Sequence, residues 1–267
     1  MAILTISREY GSGGREIGLA VAESLAYEYV DKDKVLGDIR TAGHKWETWG
    51  NELDERCPTI WEKYDWSFRG FGALVESIVL AYAVKDRAVI VGRGGNFLLK
   101  SIPHALRIRV VAPVEQRIAR IARRESLDKE TSQWLIERTD RERSCFLHAL
   151  YGKRWDDPAE YDVVFDTGVR PVEETVLVVK DMLAEKEAHN TEESRGIVRM
   201  RALAAKIKAG LLTSPTIFIP ILDVIYDGKD IVLRGIVHNP KERKRIEDAA
   251  KELAEGAVLR NELHYRG

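Results

Sequence analysis

Three of the four residues from Gly11 to Gly14 are glycine. They separate a short apolar run (Ile3, Leu4, Ile6) from a stretch of helical period, Ile17, Ala20, Val21, Ser24 and Leu25. Strand, glycine loop and helix in this order suit anion binding. Glycines let backbone N–H groups converge on a phosphate, and the following helix turns the positive end of its dipole toward it. Gly11, Ser12, Gly13, Gly14, Arg15 and Glu16 are therefore candidates for holding the phosphates of a nucleotide. Two loop types compete with a plain structural turn. A dinucleotide loop, GxGxxG, would need a third glycine where Glu16 stands, although Asp31 lies near the spacing of its ribose-binding acid. A P-loop, GxxxxGK[ST], makes a longer excursion after the strand, and Arg8-Glu9-Tyr10 provides one, but its lysine is missing. If Gly14 is the last glycine, Arg15 takes the lysine position and Glu16 the hydroxyl position; if Gly13 is, Gly14 and Arg15 fall there.

Arginines recur downstream at intervals that could bring them to the same place. Val91-Gly92-Arg93-Gly94-Gly95 follows a run apolar enough for a strand buried on both faces, which puts Arg93 at the carboxyl edge of a sheet. Arg120, Arg123 and Arg124 crowd one helix end, and Asp140-Arg141-Glu142-Arg143 adds more on the next. Phosphoryl transfer needs its spreading negative charge clamped and little covalent help, so converging arginines fit it. Any one of the helix arginines alone reads better as part of a solvated face.

The elements that must position these groups alternate between strand and helix. Strands are expected at Tyr27–Asp31, Ala88–Gly92, Leu106–Ala112 and Asp162–Asp166, with helices over Phe71–Asp86, Pro113–Arg124, Asp128 to about Leu150, and Arg170–Glu187. The expected fold class is α/β, a parallel sheet covered on both faces. Residues 35–70 break the pattern with Trp46, Trp49, Trp61 and Trp66 among charges and glycines, and read as a partly helical insertion. These tryptophans suit packing of a small subdomain, a contact between two copies of the chain, or stacking on a base. The polar stretch 188–196 reads as a linker. Beyond it a helix (Ile197–Leu212), strands at Ile217–Tyr226 and Ile231–Val237, a helix (Pro240–Ala254) and a strand (Val258–Tyr265) form a separate small α+β domain.

Composition narrows the function classes. Lys+Arg (42) nearly balance Asp+Glu (43), so bulk charge gives no reason to expect a nucleic-acid partner. Cys57 and Cys145 form no CxxC pair and read as the free thiols of a reducing compartment. The first strand leaves no room for a signal segment ahead of it, and no apolar run approaches the ~20 residues that span a bilayer. A cytoplasmic protein without membrane contact is expected. The six histidines are scattered, with no HxxxH pair.

Five stretches in order carry a resemblance: SREYGSGGREIG, VIVGRGGNFLL, LRIRVVAPVEQRIARIARRE, the D-x-x-R spacing of Asp140 and Arg143, and YDVVFDTG. Over residues 1–187 the chain resembles the cytidylate-kinase-like branch of the nucleoside monophosphate kinases. The resemblance implies a P-loop kinase fold with a five-stranded parallel sheet, ATP and Mg²⁺ on the donor side, and CMP or dCMP as acceptor. By position, Gly11–Arg15 would hold donor phosphates, with Arg15 standing in for the lysine, and Arg93 would contact the acceptor phosphate. Arg123, Arg124 and Arg143 would close over the transferring group from a lid at about 123–155. Asp140 would place the acceptor or the lid arginines, Asp31 would border the acceptor site within the 35–70 insert, and Glu16 or Asp31 would reach the metal. Residues 197–265 resemble a BON domain, through Tyr226-Asp227-Gly228, Leu233–Val237 and Arg260–Leu263, which implies a module for a small ligand or a protein. The competing reading is a nucleotide sensor, in which the lysine-less loop binds without transferring phosphate and the C-terminal module relays the bound state.

Overall fold

The computed structural model describes residues 1–41, 43, 46, 56–219 and 221–266; Trp49 and His44 lie outside them. The first unit is built on β1 (Ile3–Arg8), β2 (Glu28–Val30), β3 (Ala88–Val91), β4 (Ala105–Val111) and β5 (Val163–Asp166). All four pairings are parallel, in the order β2-β3-β1-β4-β5. The helices are α1 (Gly14–Leu25), α2 (Lys32–Thr41), α3 (Ile60–Tyr64), α4 (Trp66–Val84), the single turn α5 (Gly95–Leu98), α6 (Val114–Glu125), α7 (Lys129–Tyr151) and α8 (Val172–Glu187).

Strand alternation divides the core into two layers. Leu4, Ile6, Val89, Val91, Ile108 and Val110 face Ile17 and Val21 of α1 and Val179 and Leu183 of α8. Ile3 and Ile90 face the opposite way, onto Phe71, Val75 and Val79 of α4 and Phe146 of α7. Gly18 lets α1 lie close to the sheet, since a Cβ there would stand 3.2 Å from Ile6, Tyr29 and Val91 side chains. The chain leaves β1 toward β2 on one side and β4 toward β5 on the other. This reversal opens a crevice at the carboxyl end of β1, where ligands bind in open α/β sheets.

The second unit contains β6 (Ile221–Tyr226), antiparallel to β7 (Ile231–Val237), which is parallel to β8 (Leu259–Tyr265). With α9 (Glu192–Thr213) and α10 (Pro240–Leu253) the order is α-β-β-α-β, and the sheet is small and mixed. The linker expected over 188–196 is shorter than its composition suggests. Glu192–Gly196 are the first turn of α9, capped by Thr191, whose hydroxyl accepts the Ser194 N–H at 3.1 Å. Val198 and Ala205 of α9 belong to the core beneath the first sheet, whereas Ile207, Leu211 and Leu212 belong to that of the second. One helix serves both hydrophobic clusters. Arg201 reinforces the junction by donating to the Leu98 and Lys100 carbonyls at 2.9 and 2.8 Å.

Three further expectations change. Helix α4 begins at Trp66 rather than Phe71, and its 19 residues are long and apolar enough to cross a membrane by length and composition. Its apolar positions are instead enclosed by α2, α7 and α9. The cysteines are not free: Cys57, just before α3, and Cys145 of α7 form a disulfide with Cα atoms 5.0 Å apart. Thiol content therefore no longer argues for a reducing compartment. Nor is His104 an incidental residue. Buried below the amino ends of the strands, its Nδ1 meets Ser194 Oγ and its Nε2 lies 3.5 Å from Asp86, which also holds the Met1 amino group at 2.9 Å. This clasp ties the starts of β1, β3 and β4 to the first turn of α9.

Two measurements check these ties. A bridge spanning 88 residues of chain restricts the unfolded state, so Cys145→Ser should lower stability by about 2–4 kcal/mol in urea without reductant. Reductant should shift the wild type toward the variant and leave the variant unmoved. For His104, burial pushes the imidazole below its ordinary value, against the pull of Asp86. The folded state thus holds His104 neutral where the unfolded chain begins to bind a proton, near pH 6.5. The stabilisation is present above that pH and is lost as pH falls through the folded-state value. Tm should drop on going from about pH 7.5 to 5.5, and His104→Gln should flatten the slope.

Candidate functional site

The loop after β1 owes its shape to two glycines and a frame of charged side chains. Gly11 and Gly13 have φ of 81° and 89°, in the left-handed region that residues with a Cβ adopt at a cost. Gly13 caps α1 and Gly14 is its first residue. Ser12 is fully buried; its hydroxyl donates to the Glu9 carbonyl at 2.8 Å, and its own carbonyl accepts from Thr167 at 2.7 Å. Ser12 therefore contributes backbone, not a hydroxyl, to anything bound in the loop.

The frame comes from β4, α6 and α7. Asp140 accepts the Tyr10 N–H at 2.8 Å and pairs with Arg117 at 2.5 Å. Arg117 and Arg109 stand 3.6 and 3.5 Å from Glu9. Arg120 donates to the Gly11 carbonyl at 3.3 Å and to Thr167 Oγ1 at 2.8 Å. Asp140, expected from the sequence to place the acceptor or the lid arginines, and Arg120, one of the clustered helix arginines, thus hold the loop itself.

Above the loop is a cleft of about 470 Å³, lined among others by Gly11, Gly13, Gly14, Arg15, Glu16, Asp31, Arg124 and Arg143. Residues from four separate parts of the sequence meet here. Asp31 caps α2, with one carboxylate oxygen 3.2 Å from the Lys34 N–H. Arg124 and Arg143 lie on opposite elements over the ring of Tyr10, 5.2 and 5.6 Å from its centroid. Tyr10 thus holds the two guanidinium groups in place through cation–π contacts. Half-buried Tyr29 also lines the cleft. Burial first, and the Asp31 carboxylate second, push its phenol up, while Arg8 and Arg15 pull it down.

Arg93 and Arg123 lie apart from this cleft. Arg93 is 4 % exposed, has φ of 56°, and lines a small adjoining cavity with Ser7, Arg8, Asn96, Arg143 and Trp155. Tyr151 donates to the Arg93 carbonyl at 3.0 Å, and Gly94 leaves the room its ring requires. Arg123 lines a groove behind the loop with Gly11, Glu16, Arg120 and Arg124. Arg8 and Arg143 border both the cleft and the Arg93 cavity. Arg8, Tyr10, Tyr29 and Lys32 escaped sequence reasoning. The excursion Arg8-Glu9-Tyr10 was counted as spacing, and Lys32 directly follows Asp31.

No tryptophan lines the cleft among the described residues. Trp46 is in the core, Trp66 stacks near Phe218 at 5.0 Å, and Trp61 is exposed. No group of three His, Cys, Asp or Glu side chains gathers into a metal site among the described residues either. The cleft does hold single carboxylates, Glu9, Glu16, Asp31, Asp33 and Glu125. These are the hard oxygen donors that Mg²⁺ takes one or two at a time beside substrate phosphates.

Comparison with known proteins places this geometry in a family. The chain is 26 % identical over 184 residues to the cytidylate kinase of Methanocaldococcus jannaschii, covering 68 % of this chain and 97 % of that one. It is 31 % identical over 104 residues to a uronate isomerase of Corynebacterium glutamicum, a match that takes in 39 % of this chain and spans only about one fifth of that protein's length. An uncharacterized protein from Eubacterium ventriosum shares the fold at 18 % identity, with a TM-score of 0.54 over 69 % of this chain and 99 % of that one. The family model that covers residues 3–169 takes in the glycine loop, the Arg93 turn and the arginines of α6 and α7, and by that match the chain belongs to the cytidylate kinase-like family.

Proposed function

We propose that the chain is a phosphotransferase that moves the γ-phosphoryl group of ATP to a nucleoside monophosphate, CMP or dCMP in the first instance. The observation that carries the reading is the meeting of an anion-binding glycine loop with Arg124 and Arg143 in one cleft, beside a second cavity that holds Arg93. Backbone N–H groups of the loop and the start of α1 would bind the donor phosphates. The cavity at Arg93, about 20 Å³, has room for one water and not for a phosphate, so Arg93 would meet the acceptor phosphate only once that space opens, and Arg143, which borders both spaces, would meet the group in transit. Arg124 would close over the donor from α6, while Arg123, in the groove behind the loop, would add positive charge from that side. Arg15 is exposed on the first turn of α1 and would contribute charge at the cleft's rim. Asp140 acts through Tyr10 and Arg117, as a positioning residue.

Asp31 and Glu16 are the oxygen donors in the cleft that would hold Mg²⁺, which would supply charge neutralisation at the donor phosphates. We read the second unit as a BON-like module for a small ligand or a protein; its α-β-β-α-β order supports that reading. We read the domain division as 1–187 and 197–267, with the second unit's first helix, α9, entering from Glu192 and contributing to both cores.

Purified protein, ATP, Mg²⁺ and a panel of nucleoside monophosphates should give acceptor-dependent ADP, with CMP or dCMP the best acceptor. Nucleotide binding in calorimetry without ADP under any acceptor would favour the sensor reading. Arg143→Ala should cost roughly 100-fold in kcat, about 3 kcal/mol of transition-state stabilisation. Arg93→Asn, chosen because asparagine tolerates the positive φ at this position, should act mainly on the acceptor KM. Asp140→Asn weakens the Arg117 pair but keeps an acceptor for the Tyr10 N–H, so its loss should be milder than that of Arg143→Ala.

A further inference from the structure

The start of α1 decides the register that the loop sequence leaves open. Gly13 is the cap and Gly14 the first helical residue. Gly13 is therefore the last glycine of a GxxxxGK frame, the lysine position is Gly14, and the first glycine position is Arg8. Relative to that frame, glycine and cation have changed places.

The two positions also touch. A Cβ on Gly14 would lie 2.5 Å from the Arg8 Cβ and 3.1 Å from its Cγ, so the stem of Arg8 runs through the space that a side chain at 14 would claim. On the other side, a Cβ on Gly92 (φ 81°) would collide with the Arg8 guanidinium. Two glycines from different loops, one on the donor side and one beside Arg93, thus clear a passage for one arginine. Its head borders the donor cleft and the Arg93 cavity together, next to Arg143. Arg15, by contrast, stands at the hydroxyl position of the frame and reaches the cleft from an exposed turn at its rim, beside Tyr29 and away from the Arg93 cavity.

We propose that Arg8 supplies the cationic contact to the transferred phosphoryl group that a P-loop lysine would make, relocated from the first residue of α1 to the last residue of β1. This rests on the phosphotransferase reading above. A guanidinium suits the role, being permanently charged and able to fork between two oxygens of the transferred group. It also accounts for Gly14, since the stem of Arg8 leaves no room for a lysine side chain there.

The test compares binding of Mg·ATP and of AMP, and turnover with the best acceptor, for the wild type, Arg8→Met, Gly14→Lys and the exchange Arg8→Gly with Gly14→Lys. Arg8→Met keeps the stem that fills the space at Gly14, so loss of charge is read apart from loss of fold, which circular dichroism monitors. Arg8→Met should lower kcat roughly 100-fold and weaken ATP by about tenfold or more, with AMP little changed. Gly14→Lys alone should fail through overlap with Arg8, and the exchange should recover ATP binding. Arg8→Met that binds and turns over like the wild type would overturn the assignment of Arg8 and leave the phosphotransferase reading standing. An exchange no better than Gly14→Lys alone would overturn it too. Wild-type protein that binds no nucleotide would instead remove the phosphotransferase reading, and the role of Arg8 with it.

Discussion

Ionic anchoring of the loop at Glu9, Tyr10 and Gly11 is the interaction on which the rest of the cleft depends. A glycine-rich loop has many conformations to lose, and convergent N–H groups bind an anion only if those conformations are already excluded. Here Arg109, Arg117 and Arg120 reach the loop from β4 and α6, and Asp140 reaches it from α7. Each pair is partly shielded from solvent, and each guanidinium has a carboxylate or carbonyl partner, which is what makes a cluster of arginines tolerable there. Because the anchors sit on α6 and α7, the helices that carry Arg124 and Arg143 are registered to the loop by the same bonds. The cleft's floor and its cationic wall are set together.

The same economy of elements links the two units. Helix α9 contributes Val198 and Ala205 to one core and Ile207, Leu211 and Leu212 to the other. Helix α4 faces both, with Trp66 against Phe218 and Arg69 donating to the Leu222 carbonyl at 3.1 Å. The Cys57–Cys145 bridge adds a covalent tie between the segment before α3 and α7, two residues from Arg143. Movement of α7 would therefore be felt at the insert, at the loop and, through α4, at the C-terminal sheet.

Much of the fold could be read from residue pattern because its signals are local. Alternation of apolar runs with 3.6-residue periodicity located every strand of the first sheet to within a residue or two. The start of the helix at Asp128 was equally legible, since it is decided by one side chain and its nearest backbone, the Thr131 N–H that Asp128 accepts. Boundaries failed where tertiary burial overrode local composition. Glu192–Gly196 look like linker but are held as helix by Thr191 and by Ser194 meeting buried His104. Trp66–Val84 is apolar enough for a bilayer because three packed elements enclose it. The disulfide joins residues 88 apart, a proximity that spacing alone does not reveal.

For the site, the sequence by itself determined the residue types: glycines able to take positive φ, a helix to follow them, and arginines in excess downstream. These properties belong to single residues and short windows. Which arginines face the cleft, and which only support it, was decided by the tertiary structure, because a side chain's role depends on what its helix face is turned toward. Arg120 and Asp140 look like ligands in sequence and are braces in space. Arg8 looks like spacing in sequence, yet it lies between two cavities, in room left by Gly14 and Gly92, residues 6 and 84 positions away along the chain.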